Sequence, residues 1–369
     1  MSWLLTIVGI IALIVLHELG HFFVAKAVGM RVERFSLFFP PTLFSRKRGE
    51  TEYAIGALPL GGYVKITGMS PEEMETLDPA VAGRAYYNQA PWKRVAVIVA
   101  GPGVNILIAF VLFTAVLLSG NNEGAITLAN LTESPRTVAR TTSVQAIETG
   151  RPADGQLRPG DRIVAVDGRP ATPTSTTAAI SSHRCAGSQT NGCTAATPVH
   201  LTVLRGGRDV PLSVYPRYDA SEKRMLLGFV FGVVAKPVGV SGAAGAAVAS
   251  MWDTTTGTLT HFAQALTESK ARSEISSIVG ISRAGHQTIN EGAGKALVFL
   301  GYVSLILAVI NMFPFLPLDG GHVLWSVAEK VRGRRISLLS MYRFSSVGIV
   351  LLLFLVISGV SNDISRLGG

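Results

Sequence analysis

One apolar run, broken by two histidines and a glutamate, constrains this chain more than any other feature. The sequence opens MSWLLTIVGIIALIVLHELGHFFVAKAVGM, and the apolar stretch continues from Trp3 to Val28 with His17, Glu18 and His21 inside it. About 25 helical residues reach about 37 Å at roughly 1.5 Å each, enough to cross a bilayer. An ionisable group at such depth costs several kcal/mol unless protein or water surrounds it. A helix carrying three must turn them towards partners. A cleaved signal peptide is the competing reading, and it fits poorly, since no basic residue precedes the run and His17, Glu18 and His21 break it.

The rest of the composition agrees with a membrane protein. Of the 369 residues 48% are hydrophobic and only 15% charged, where soluble domains carry about 25% charged residues. Four runs are long enough to span, at about 3–28, 95–118, 297–318 and 342–360. The net charge of +9 could suggest nucleic acid, but its placement argues for topology instead. Lys26, Arg31, Arg34, Arg46, Lys47, Arg48, Lys65, Arg84, Lys93 and Arg94 follow the first run, and Lys330, Arg332, Arg334 and Arg335 lie between the last two. By the positive-inside rule both loops are cytoplasmic, both termini lie outside, and the long 119–296 segment is extracytoplasmic. Cys185 and Cys193 fall in that segment, in CAGSQTNGC. An oxidising compartment allows a short-loop disulfide there; free thiols are the alternative, and the spacing is too wide for a zinc knuckle.

No 20–50-residue repeat is visible. ETEYAIGALPLGGYVKITGM reads as a β-hairpin at 50–69, two strand-like pieces around Pro-Leu-Gly-Gly. Its uncharged centre allows it to dip into the membrane against the helices, and a plain cytoplasmic hairpin is the alternative. GQLRPGDRIVAVDG, HLTVLRGG and DVPLSVYPR predict a small β-rich domain over 136–217, with the Thr/Ser/Ala-rich 171–198 as an insertion or loop. Residues 240–292 read as helices on the outer leaflet.

His-Glu-x-x-His on a helix sets two imidazoles one turn apart on one face, where both can ligate one metal, with the glutamate placed as general base towards water. Within a membrane run the alternative of a buried structural histidine loses weight, because unpaired polar groups cost so much there. A catalytic zinc site keeps three protein ligands, so a third is required. The first and third runs both cross from outside to inside, so the depth of His17 recurs near residue 311. NMFPFLPLDGGH follows, carrying Asp319, the only acid between Glu291 and Glu329. Pro314 and Pro317 break the helix there, and Gly320 and Gly321 allow close backbone approach. An aspartate in such a turn is ordinarily a helix-end residue; its match in depth to the histidine pair favours a ligand.

Taken together, HELGH, AGPGVNILIAF opening the second run and NMFPFLPLDGGH closing the third resemble the site-2 protease family of intramembrane zinc metalloproteases. The PDZ-containing bacterial branch is similar, through GALPLGGYVKITGM, the PDZ-like GQLRPGDRIVAVDG and SEISSIVGISRAGH, so the resemblance covers nearly the whole chain. It implies a membrane α-helical bundle of about four transmembrane helices with a membrane-associated β-hairpin and an inserted extracytoplasmic PDZ-like domain. It implies Zn2+ held by His17, His21 and Asp319, Glu18 as the catalytic residue, and Asn311 supporting substrate or transition state. His322 is either a group behind the ligands or a plain interfacial histidine. Pro317 stands one place later than in the commonest form of the motif. The implied substrates are single-span membrane proteins in a bacterial cell membrane, such as anti-sigma factors already cut outside by another protease, and signal-peptide remnants; no nucleic acid is implied.

A metal-binding or transport protein that does not hydrolyse anything is the main alternative. Glu18 discriminates, because a transporter has no evident need of a carboxylate beside the first histidine. An adaptor on an inactive scaffold is disfavoured, since no ligand or base is missing. A peptide bond in a membrane helix is shielded, so a substrate must unwind, and the 50–69 hairpin is the element on which an unwound segment could add as a strand.

Overall fold

The computed structural model describes residues 2–368 apart from 70–72, 74–75, 133–137, 276, 317, 335 and 337. It divides into two compact units, Met1–Ser134 with Pro237–Gly369, and Pro135–Lys236. Among the described residues four helices are long and apolar enough to cross a membrane: Ser2–Ala27, Pro91–Leu118, Ala293–Asn311 and a stretch at Arg343–Arg366. The third ends well before residue 318, at Asn311, and a run of bends from 313 to 315 follows it.

In the first unit α1 (Ser2–Ala27) leads into β1 (Val32–Arg48) and β2 (Thr51–Ile66). The expected hairpin is placed differently. The tight turn lies at Gly49-Glu50, where Gly49 takes φ 62°, and the partner of 51–66 is the upstream 32–48 segment. Pro40-Pro41 hides that strand from a propensity reading, since proline normally removes a residue from a ladder. Both strands bend, so that Phe35 pairs with Val64 and also with Tyr53. Four short segments thereby lie side by side in the order 42–48, 51–56, 34–37 and 62–65. The short α2 (Pro79–Ala82) precedes α3 (Pro91–Leu118) and α4 (Asn122–Leu131). Phe22, Ala25, Met30, Val32, Ile66, Tyr86, Val97 and Ile98 form one buried cluster that fixes the end of α1 between the sheet and α3.

The second unit is built on the strand order β10-β3-β4-β6-β7, from β3 (Val138–Ile147), β4 (Arg162–Val166), β6 (Val199–Arg205), β7 (Arg208–Val214) and β10 (Phe229–Ala235). β5 (Arg169–Pro170) pairs with β4, and β8 (Arg217–Asp219) with β9 (Arg224–Leu226). The unit thus runs past the expected limit of 217, because β10 returns to pair with β3. Within 171–198 lies a helix, α5 (Pro173–Ser182), started by a capping box in which Thr172 and Ser175 bond each other's backbone. Cys185 and Cys193 are bonded to each other. Val144, Leu157, Ile163, Val166, Leu201, Val203, Val214, Met225 and Leu227 fill the core.

Asp161 is the charged group on which this unit depends. It is 3% exposed and receives Arg205 Nε at 2.8 Å and Nη2 at 2.6 Å, with the Arg158 N–H at 2.8 Å. The Arg205 guanidinium holds its carboxyl below the ordinary aspartate value. A depressed carboxylate stabilises the fold fully above about pH 4, and that contribution is lost as pH falls through the lower folded value. Arg205→Ala should cost about 2–3 kcal/mol, less than a fully enclosed pair because the Arg205 side chain keeps 24% of its surface in solvent. Hydrogen exchange of the core strands in the full chain would read both effects. An unchanged acid limb in Asp161→Asn would refute the assignment.

The chain then returns to the first unit through α6 (Val240–Thr267), α7 (Ser269–Glu274), α8 (Ile278–Glu291), α9 (Ala293–Asn311), α10 (Asp319–Arg332) and α11 (Leu338–Gly368). Residues 240–267 are not a lone surface helix. Ala243, Ala247, Ser250, Met251 and Thr254 of α6 are buried, and the helix packs on α3 and α9. Small residues lower its hydropathy while letting backbones approach, which is how packed membrane helices associate. α8 lies against α1, where His286 stacks on Trp3 at 4.4 Å and meets Ser2 Oγ at 2.7 Å. Asp363 of α11 accepts the N–H groups of Ser277 and Gly280 at 2.8 and 3.0 Å, capping the start of α8.

Candidate metal centre

His17 and His21 stand one turn apart on the buried face of α1. Glycines bring the neighbouring backbones to them. A Cβ on Gly20 would stand 2.6 Å from the Ala100 carbonyl oxygen, and one on Gly101 would collide with the Nε2 atoms of both histidines. These positions let α1 and α3 cross in contact. Asp319 arrives from the other side as the first residue of α10. A Cβ on Gly320 would strike the Met312 backbone, and one on Gly321 would lie 2.5 Å from Leu316 N. Both glycines therefore allow α10 to fold back against the segment that ends α9. Arg94 of α3 and Glu329 of α10, both buried, meet at 2.6 Å and tie the two helices together.

The three ligand atoms converge. His17 Nε2 and His21 Nε2 are 3.2 Å apart, and Asp319 Oδ2 lies 3.2 Å from the first and 3.3 Å from the second. Among the described residues this is the one group of three or more such side chains able to hold a metal ion. Asp319 Oδ2 is buried and makes no well-formed hydrogen bond. Zinc binds imidazole nitrogen and carboxylate oxygen at about 2.0–2.2 Å, which in a tetrahedron separates ligands by about 3.3 Å. The residues therefore fit a zinc ion in both chemistry and spacing. His21 Nδ1 lies 2.8 Å from the Val97 carbonyl, which turns its Nε2 lone pair into the site.

Glu18 is half-buried on the same helix, close to the sheet: a Cβ on Gly62 would lie 3.2 Å from its Cγ, and the Val64 backbone stands near its carboxylate. Segment 62–65 pairs with 34–37 on one side and with no other strand among the described residues. Ile11, Ile14 and Val15, on the α1 face that continues to Glu18, line a small cleft with Leu37, Phe38 and Gly61. Phe38 there has a left-handed backbone, φ 73°, which a bulky residue adopts only under strain.

Asn311 is the last residue of α9 and is half-buried; it forms no described hydrogen bond with the three clustered residues. His322 stands outside the cluster, edge-on to Tyr86 at 5.9 Å. Pro314 lies in the bend after α9, and Pro317 lies outside the described residues. The groups that sequence reasoning missed are on α3: the Val97 carbonyl, Gly101 and Asn105. Asn105 carried a readable signal, an amide within an apolar run. A backbone carbonyl carries none.

A model of peptidase family M50 matches residues 5–355. The chain is 35% identical over 350 residues to the zinc metalloprotease Rip1 of Mycobacterium tuberculosis, covering 86% of this chain and 83% of that protein. It is 28% identical over 369 residues to a putative zinc metalloprotease of Clostridium acetobutylicum, covering 99% and 98%. A putative zinc metalloprotease of Rhizobium meliloti is 27% identical over 379 residues, covering 97% and 94%.

Proposed function

The chain belongs to peptidase family M50 and is a metalloendopeptidase of the membrane, and on that premise we propose that it cuts peptide bonds within transmembrane segments of other proteins, with zinc held by His17, His21 and Asp319. The observation that carries this reading is the triangle of ligand atoms at 3.2–3.3 Å, two of them on a helix apolar enough to cross a membrane and the third, from Asp319, at the start of α10. Bound there, zinc supplies Lewis-acid polarisation of the scissile carbonyl and activation of water. Glu18 takes the proton of the attacking water and hands it to the departing amine. Asn311 is assigned to the substrate backbone beside the metal. The alternative of a metal carrier is disfavoured by Glu18, which stands beside the ligands without belonging to them.

The substrate is a single membrane-spanning segment that has unwound. Segment 62–65 offers an edge with no strand partner among the described residues, beside Glu18, and an extended peptide gains most by adding to such an edge. Leu43, Phe44 and Leu58 of the bent sheet are exposed, which suits insertion among lipid. Both termini and the 135–236 unit are assigned to the extracytoplasmic side of a bacterial cell membrane. The substrate class is that of single-span regulators such as anti-sigma factors, shortened first by another protease, and signal-peptide remnants.

A chelator should abolish cleavage by the purified protein in detergent, and added zinc should restore it. Full activity in metal-free protein would overturn the reading. The cleft one turn above Glu18 should receive a substrate side chain next to the scissile bond. Ile14→Phe, which fills it, should lower cleavage of substrates with Leu at one such position by about 10- to 100-fold and spare those with Gly or Ala. Equal losses across the series would remove the cleft from the substrate path.

A further inference from the structure

Asn105 is fully buried in α3, and its carboxamide faces the ring nitrogen of His17 that points away from the ligand triangle. Its Nδ2 position lies 3.3 Å from His17 Nδ1, and its Oδ1 has no hydrogen-bond partner among the described residues. The residue is anchored through its backbone, where Ser304 Oγ of α9 donates to the Asn105 carbonyl at 2.9 Å.

A neutral imidazole carries one N–H. For His17 to present the Nε2 lone pair beside His21 Nε2 and Asp319 Oδ2, its proton must sit on Nδ1, and that N–H needs an acceptor. His21 has one in the Val97 carbonyl at 2.8 Å. At His17 the Asn105 carboxamide occupies the equivalent place. With its NH2 towards Nδ1 it would donate, and the ring proton would be driven onto Nε2, the atom that faces Asp319. With its oxygen there it accepts from Nδ1–H and leaves Nε2 free. Turning the group over exchanges the two atoms in place, and Oδ1 gives up no other partner by it.

We propose that Asn105 is a positioning residue for the metal: its side-chain oxygen holds His17 in the Nδ1–H tautomer, so that Nε2 is presented as a ligand. The inference rests on the zinc reading above and adds an outer partner to it. His21 is held by a backbone carbonyl that no substitution removes. His17 is held by a side chain, so its basicity and orientation depend on one residue.

The test is zinc affinity of the purified full chain, measured by competition with a chelator of known affinity and paired with a thermal melt. Asn105→Leu keeps the branched outline, at a somewhat larger volume, and removes the acceptor; it should weaken zinc binding by about 10- to 100-fold. Asn105→Ala should weaken it similarly and serves if the leucine variant does not fold. Asn105→Asp should bind zinc at least as tightly as the unaltered chain, since a carboxylate accepts from Nδ1–H more strongly. Ser304→Ala, which cuts only the backbone anchor, should leave affinity within about threefold. A purely structural role would give the opposite order, an apolar isostere suiting a buried site better than a carboxylate. Wild-type zinc affinity in Asn105→Leu or Asn105→Ala, or loss of zinc in Asn105→Asp as great as in either, would overturn the proposal. Failure of the unaltered chain to bind zinc would overturn the reading beneath it instead.

Discussion

Glu18→Gln is expected to cut turnover by a factor of about 10³–10⁴ while leaving bound zinc unchanged. Glutamine keeps the shape of the side chain and its place beside Val64 but cannot take the proton of the attacking water. Glu18 is outside the ligand triangle, whose members are His17, His21 and Asp319, so metal content should not follow activity down. The measurement is zinc per polypeptide alongside the rate on one substrate. Turnover near that of the unaltered protein would remove Glu18 from the proton transfer. Loss of zinc together with activity would make it a ligand.

The second large effect is expected at the ligands. His17→Ala, His21→Ala and Asp319→Ala should each lose bound zinc as well as activity, because a three-ligand site reduced to two holds zinc far more weakly. Asp319 is the most informative of the three. His17 and His21 lie on one helix, whereas Asp319 is brought to them across nearly 300 residues of chain by the folding of α10 onto the end of α9. Full zinc content in Asp319→Ala would require another third ligand. The three variants should melt alike in the presence of chelator and differ from the unaltered protein only when zinc is added. That pattern separates loss of a ligand from loss of fold.

Much of this arrangement is legible in the amino-acid sequence. Charged groups inside an apolar run have few solutions, so His17, Glu18 and His21 point to a buried site. Equal depth on two runs that the positive-inside rule reads as crossing in the same direction then points to Asp319, and Gly320 and Gly321 announce the close approach they make. Less legible are features that arise only from packing. The upstream strand of the sheet is masked by Pro40-Pro41, which reads as a loop until its partner in 51–56 is known. α6 has the composition of a surface helix, and its burial depends on small side chains meeting α3 and α9. The fold of 135–236 extends past 217 because β10 closes on β3, a pairing between segments about 90 residues apart that local pattern does not announce. At the site itself the hidden part is what stands behind the ligands. Asn105 reaches His17 across 88 positions, and only the crossing of α1 and α3 reveals it.

In the function proposed for this chain, zinc at His17, His21 and Asp319 serves cleavage inside a membrane segment. The most direct measurement is to reconstitute the purified protein in lipid vesicles with a single-span substrate already shortened on its outer side, and to locate the new termini by mass spectrometry. The expected result is a pair of products whose ends fall within the apolar span, absent with Glu18→Gln and absent after chelation. Termini confined to the flanking polar segments, or the same products from Glu18→Gln, would contradict it.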